Sequence, residues 1–168
     1  MTYATTMTVI GPDEGRSVSW GGFGARFLID SAETDGRFSL VEHPIGPRAL
    51  AAPMHVHERE DEYTFVLEGR VGVRIGDEER VAGPGEFVLK PRGIPHAFWN
   101  AGDEPARVLE LISPAGFEEY FAEIEALLPP NADEPRFAEL AAVQARYGLT
   151  MDLDSIPDLV ERHGLRFG

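Results

Sequence analysis

The chain has 168 residues, of which 43% are hydrophobic, so it is long enough for one folded domain with a substantial core. Its 29 acidic and 15 basic residues give a formal net charge of −14, which repels nucleic-acid phosphates and anionic membranes. The absence of cysteine excludes disulfides and thiolate metal ligands. The first ten residues lack a basic start followed by an apolar segment, and no uncharged apolar stretch approaches about 20 residues. We therefore expect a cytoplasmic protein without nucleic-acid or membrane partners.

The chain from about residue 5 to residue 112 has the pattern of a strand-rich domain. Glycine, proline and aspartate separate short β-prone runs, and no helix-length period lies between them. In the run from Val71 to Ile75, apolar residues alternate with Gly72 and Arg74, as expected for a half-buried strand. The pattern predicts an antiparallel sandwich or barrel with strands over 26–29, 37–42, 62–67, 71–75, 86–90, 96–99 and 107–112.

Helical spacing replaces this pattern after residue 112. Ser113 and Pro114 predict a helix start, as N-cap and first helical residue, and Pro129-Pro130 predicts its end. The apolar residues of this helix are Phe117, Tyr120, Phe121, Ile124, Leu127 and Leu128.

Two further helices are predicted over 134–147 and 156–163, with Gly148 and Gly164 as their stops. None of the three helices is long enough to enclose a core of its own. We therefore expect a β domain over 1–112 and a helical C-terminal extension over 113–168 that packs on it.

The strongest functional signal is a pair of histidines one residue apart, His55 and His57. Alternate residues of a strand point to the same face, so both imidazoles can be directed at one point. Glu62 has the opposite parity, so the chain must bend after His57 to bring its carboxylate there. With His96, in the segment Gly93-Ile94-Pro95-His96, these residues offer three nitrogens and one carboxylate oxygen. Such donors suit one divalent first-row transition metal, and Mn, Fe, Co, Ni, Cu and Zn all remain candidates.

These residues and their spacing resemble the cupin superfamily. The family's first motif, His-x-His, three or four residues, Glu, six residues and Gly, is met by His55, His57, Glu62 and Gly69. Its second, Gly, five residues, Pro-x-Gly, two residues, His, three residues and Asn, is met by Gly85, Pro91, Gly93, His96 and Asn100. The chain departs from the pattern at Ala49, where the family has glycine six residues before the first histidine. The resemblance implies a mainly β fold, an antiparallel cupin-type β-barrel (double-stranded β-helix or jelly roll) with a C-terminal helical tail.

The order of a short single barrel followed by helices is similar to that of small quercetin 2,3-dioxygenase-like cupins. This closer resemblance implies a flavonol substrate whose 3-hydroxyl binds the metal and loses its proton to the glutamate. The flavonol then reacts with dioxygen, and its central ring opens with release of carbon monoxide.

The donor set itself indicates a catalytic site, because four protein ligands leave one or two metal positions open. Glu62 is the only carboxylate of the set and the natural catalytic proton acceptor. A coordinated carboxylate is a poorer base, so Glu62 would have to loosen from the metal to take the proton.

Strand parity suggests which side chains line a substrate pocket. Positions that share a face with His96 or Glu62, and the apolar stripe of the first helix, are candidates: Thr64, Val66, Phe98, Phe117 and Phe121. The stripe is either ordinary helix packing or a lid over the barrel mouth. His43 and His163, outside both motifs, are expected at the surface or in the core.

The acidic run Glu58, Glu60 and Asp61 is expected to be a solvated loop. Its charges would also raise the negative potential beside a bound cation.

Three functions remain open. The first is a metal-dependent dioxygenase that uses dioxygen to cleave a flavonol or a similar enolisable phenolic. The second is a non-redox metal-dependent enzyme such as an isomerase, and the third is a cupin that binds an aromatic small molecule without turnover. The acidic charge disfavours small anionic acids such as oxalate. We also expect a homodimer.

Overall fold

A computed structural model describes residues 9–128 and 137–167, which form two antiparallel sheets and four α-helices. The six-stranded sheet has the order β1 (Ser17–Trp20), β2 (Phe23–Ile29), β3 (Ser39–Ile45), β10 (Ala106–Ser113), β5 (Asp61–Glu68) and β8 (Phe87–Lys90). The five-stranded sheet has the order β11 (Leu149–Met151), β4 (Leu50–His57), β9 (His96–Asn100), β6 (Val71–Ile75) and β7 (Glu78–Ala82). The predicted mainly β, antiparallel architecture is confirmed, and it is that of a jelly roll.

The interior lies between the two sheets and is filled by alternate residues of their strands. Along β10, Val108 and Ile112 are buried, whereas Leu109 and Leu111 face outward and are partly exposed. This alternation is the period of two that a half-buried strand requires. Glu110 shares the inward parity, so a carboxylate enters an otherwise apolar row.

Each strand predicted from sequence is present, although most bounds differ by a few residues. The predicted strands do not include β4, although a shared face for His55 and His57 presupposes a strand there, and they also do not include β1, β7 or β11. The four-residue helix α1 (Ser31–Thr34) gave no signal either. β1, β7, β11 and α1 are short, and β7 is largely polar because it lies at a sheet edge.

The predicted helix start at Ser113 is wrong. Ser113 is the last residue of β10 and pairs with Asp61 of β5, because strand pairing supplies its backbone with partners that a helix would have to replace. The first long helix, α2 (Glu118–Glu125), begins after Phe117. The predicted stop at Pro129-Pro130 lies outside the described residues.

The remaining helices are α3 (Phe137–Arg146) and α4 (Ile156–His163). The start predicted for α3, residue 134, lies outside the described residues. Gly148 and Gly164 follow these two helices with φ of 65° and 62°, as expected of glycines at helix stops. The C-terminal segment is not only helical, because β11 pairs with β4 and places Met151 beside His55.

Part of the outer face of the six-stranded sheet is apolar. Tyr63 of β5 and Phe87 and Leu89 of the edge strand β8 are exposed, Phe87 by 74%. The expected homodimer remains a prediction. None of the helices in the described segments is both long and apolar enough to span a membrane.

Candidate metal centre

The structure brings together the four predicted ligands from three strands. His55 and His57 lie on β4, and His55 is paired with His96 of the neighbouring strand β9. Glu62 reaches them from β5 in the opposite sheet, because the chain turns between His57 and Asp61. One ligand atom from each of the four residues lies within 4.8 Å of the other three, and all four side chains are buried. The bend required by the parity of Glu62 is therefore present.

Backbone carbonyls orient two of the imidazoles. Nδ1 of His55 donates to the carbonyl of Pro53 at 2.8 Å, and Nδ1 of His96 donates to that of Ile94 at 3.0 Å. Assigning the proton to Nδ1 leaves Nε2 of each ring with a lone pair for a metal. Such fixed tautomers are the usual support of metal-binding histidines.

The spacing of the donors fits a single ion. Nε2 of His57 is 3.3 Å from Oε1 of Glu62, and Nε2 of His96 is 3.3 Å from its Oε2. Two neighbouring ligands that each bind one ion at about 2.1 Å have a similar spacing. His55, His57, His96 and Glu62 would hold the ion, and the set of three imidazoles and one carboxylate does not select among the first-row metals.

Burial keeps the imidazoles of His55 and His96 neutral. It lowers the pKa of His55 well below the ordinary value, and the nearby His96 and His57 lower it further. Burial also lowers the pKa of His96, although the contact with Glu62 opposes this. A neutral imidazole is the form that binds a metal, so these rings do not need to lose a proton at neutral pH.

Two buried charged residues that the sequence pattern did not reveal complete the site. Nζ of Lys90 lies 2.8 Å from Oε2 of Glu62 and 2.8 Å from Oε1 of Glu110. Oγ1 of Thr64 donates to Oε1 of Glu110 at 3.0 Å. The signal for Glu110 was its parity, because it alternates in step with the buried Val108 of β10.

These contacts shift the pKa values of all three groups. Burial disfavours the ammonium of Lys90, but Glu110 and Glu62 outweigh it and raise its pKa. Burial also disfavours the charged form of Glu62 and so acts to raise its pKa. Lys90 and His57 outweigh burial and bring the pKa of Glu62 well below the ordinary value. For Glu110, burial outweighs the attraction of Lys90 and raises the pKa to about 7. Glu62 is thus a carboxylate beside a buried ammonium group.

The candidate pocket residues all lie in the interior. The ring of Phe117 is centred 4.4 Å from the His57 ring, which places it beside a ligand. The Phe98 ring lies 4.5 Å from Nζ of Lys90. The hydroxyl of Thr64 donates its hydrogen bond to Glu110, and Val66 is fully buried. Their roles in substrate binding remain predictions.

The expectation of a solvated acidic loop is wrong for Glu60. Its side chain is buried, and Oε2 lies 3.7 Å from Nδ1 of His57, behind the metal-facing side of that ring. Burial of Glu60 is possible because the turn between β4 and β5 folds it inward. Asp61 instead forms an ion pair with Arg92, and Glu58 is exposed.

The two histidines outside the motifs are packed against aromatic rings. Nδ1 of His43 donates to the carbonyl of Gly24 at 2.9 Å, and its ring stacks on Phe23. His163 stacks on Trp99. His43 is fully buried, and burial lowers its pKa to about 4.

His43→Asn should remove one source of acid sensitivity from the fold. The unfolded chain binds a proton on His43 at a pKa near 6.5, whereas the folded chain does so only at about 4. Stability from this group is therefore complete above pH 6.5 and is lost as the pH falls toward 4. Between pH 6.5 and pH 4, the free energy of unfolding of the wild type should therefore fall by about 3 kcal/mol more than that of the variant. Urea unfolding of both metal-free proteins measures the difference, and a difference independent of pH would contradict this expectation.

Comparison with known proteins agrees with this architecture. Residues 42–112 match the family model of the Cupin domain. The chain is 32% identical over 77 residues to the tetracenomycin polyketide synthase protein TcmJ of Streptomyces glaucescens, an alignment that covers 46% of this chain and 52% of that protein. The chain thus spans about half the length of the curated relatives it matches.

Solved structures share the fold over a larger part of the chain. The polyketide cyclase RemF from Streptomyces resistomycificus is 28% identical with a TM-score of 0.56, over 64% of this chain and 80% of that one. KdgF from Halomonas sp. has a TM-score of 0.60 over 68% of this chain and 99% of that one, and its 20% identity informs only on the fold. Residues 42–112 thus match the Cupin domain model, and both solved structures share the fold over about two thirds of the chain.

Proposed function

We propose that this chain is a metal-dependent cupin enzyme that removes a proton from an enolisable aromatic substrate of the polyketide or flavonol class. The observation that carries the proposal is the convergence of His55, His57, His96 and Glu62 in a buried site beside the ring of Phe117. The names of TcmJ, a polyketide synthase protein, and RemF, a polyketide cyclase, support this substrate class.

The residues of the site divide the chemistry between them. A bound divalent ion would acidify a substrate hydroxyl and hold its oxygen in place. The aromatic rings of Phe117 and Phe98 offer flat apolar surfaces and keep water from the site. Glu62 accepts the proton at Oε2, the oxygen that faces Lys90, while Oε1 remains beside His57. Because Lys90 makes Oε2 a weak base, the donor must be a strongly acidified hydroxyl.

Two panels of compounds, flavonols and poly-β-ketone-derived phenols, test the proposal. Each compound is incubated with the protein loaded with one of the candidate metals, and loss of the compound is followed by absorbance. We expect turnover that stops when a chelator removes the metal. If the protein held one metal ion per chain and bound a compound but converted none, a cupin that only binds its ligand would be favoured.

The narrower candidate is a quercetin 2,3-dioxygenase-like reaction, in which the deprotonated flavonol reacts with dioxygen. The donor set admits redox-active iron, copper and manganese as well as non-redox ions, and the apolar interior around Val66 and Phe98 suits an aromatic substrate. A cyclisation or isomerisation consumes no dioxygen. Oxygen uptake measured during turnover therefore separates the two reactions.

Glu62→Gln should retain much of the metal and lose most of the turnover. The amide still offers an oxygen to the ion but cannot accept the proton, and loss of a general base lowers kcat by roughly 100-fold or more. Metal content and kcat are measured on the same preparation. Glu68→Gln is the matched control, because Glu68 lies on the same strand but is exposed. A Glu62→Gln variant with near wild-type turnover would remove Glu62 from the proton transfer.

A further inference from the structure

A fully buried lysine with a carboxylate on each side is an unusual element for the interior of a β-sandwich. Lys90 is 1% exposed, and its Nζ lies 2.8 Å from both Glu62 and Glu110. A buried ammonium is strongly unfavourable unless it is paired, and here the two carboxylates supply the pairing. The Phe98 ring, 4.5 Å from Nζ, covers another side of the group.

The backbone fixes this arrangement through three neighbouring strands. Lys90 of β8 is directly opposite Glu62 of β5, and Thr64 of β5 is directly opposite Glu110 of β10. Thr64 donates to the same oxygen of Glu110 that contacts Lys90. The chain of contacts from Thr64 through Glu110 and Lys90 therefore ends on Oε2 of Glu62.

We propose that Lys90, anchored by Glu110, is a positioning residue that holds Glu62 as a metal ligand. This inference rests on the proposed metal-dependent function. The ammonium holds Oε2, which also lies 3.3 Å from Nε2 of His96, and thereby fixes the carboxylate with Oε1 3.3 Å from Nε2 of His57. A carboxylate fixed in advance loses less conformational entropy when it binds an ion, so metal affinity increases.

The sign of the effect distinguishes positioning from simple electrostatics. If Lys90 acts only as a positive charge, it repels a divalent cation, and its removal tightens metal binding. If Lys90 positions Glu62, its removal frees the carboxylate and weakens metal binding. The loss of a residue that orients a ligand lowers metal affinity by about 10- to 100-fold.

The test measures the dissociation constant of Co²⁺ by competition with a chromogenic chelator, without any substrate. Lys90→Met could leave Glu110 buried without its partner and unfold the chain, so the decisive variant is Lys90→Met combined with Glu110→Gln. Replacing a buried ion pair by uncharged groups of similar size is often tolerated. We expect this double variant to bind Co²⁺ at least about tenfold more weakly than the wild type. Affinity equal to or tighter than that of the wild type would overturn the proposal.

Two controls locate the effect on Glu62. Glu110→Gln alone keeps an oxygen for Lys90 and Thr64, so its Co²⁺ affinity should stay within a few-fold of wild type. In a Glu62→Ala background, removing Lys90 together with Glu110 should weaken Co²⁺ binding no further, because the residue they act on is absent. An equal loss in both backgrounds would contradict action through Glu62. Since no turnover enters these measurements, a wrong substrate class would leave their outcome unchanged.

Discussion

His55→Ala should lose specific metal binding and turnover together. His55 supplies one of only three nitrogens of the proposed site, its ring is buried, and its Nδ1 is already committed to Pro53. Alanine leaves a small buried gap and no donor. We expect metal affinity to fall by roughly 100-fold or more, beyond the loss typical of residues that only orient a ligand. Elemental analysis after gel filtration, together with competition against a chelator, measures the loss.

His163→Ala provides the matched control for this experiment. His163 stacks on Trp99 and is not one of the four clustered donors. It should retain one ion per chain. If His55→Ala also retained one tightly bound ion, the ion would lie elsewhere and the proposed metal centre would be wrong.

Phe121→Ala should cause a large loss of stability. Phe121 is 8% exposed, and its ring packs against those of His43, Phe117 and Trp20. Removing a buried phenylalanine leaves a cavity and lowers the free energy of unfolding by about 3–5 kcal/mol. Urea unfolding monitored by circular dichroism measures this change. Phe87→Ala is the matched control, because Phe87 is mostly exposed and its removal should change stability little.

A comparison of Phe121, in α2, with Phe117, just before α2, tests the predicted lid. Of these two rings, that of Phe117 contacts a proposed ligand, His57, whereas that of Phe121 contacts His43. If α2 and the turn before it close the site, Phe117→Ala should weaken substrate binding beyond its effect on stability. Phe121→Ala with intact stability but weaker substrate binding would contradict the packing role given to Phe121.

Much of the ligand set could be predicted because it depends on local rules. Strand parity places His55 and His57 on one face, and the opposite parity of Glu62 requires the turn that the structure contains. Recurring motif spacing then connects His96 to them. The mainly β fold follows from the same period of two and from the glycine-rich turns.

The rest depends on register between strands that are distant in sequence. Lys90 meets Glu62 and Glu110 only because β8, β5 and β10 are neighbours, which no local pattern indicates. Burial of Glu60 depends on how one turn folds, and the chain around Ser113 favours strand pairing over helix because β5 supplies a partner. Tertiary contacts thus override local propensity at these positions.

The central claim is that one metal ion is bound by His55, His57, His96 and Glu62. Anomalous diffraction from crystals of the chain loaded with Co²⁺ locates the ion directly. We expect one strong peak within about 2.0–2.2 Å of the Nε2 atoms of the three histidines and of a Glu62 oxygen. A peak elsewhere, no peak at this cluster, or a peak to which His96 is not bonded would contradict the claim.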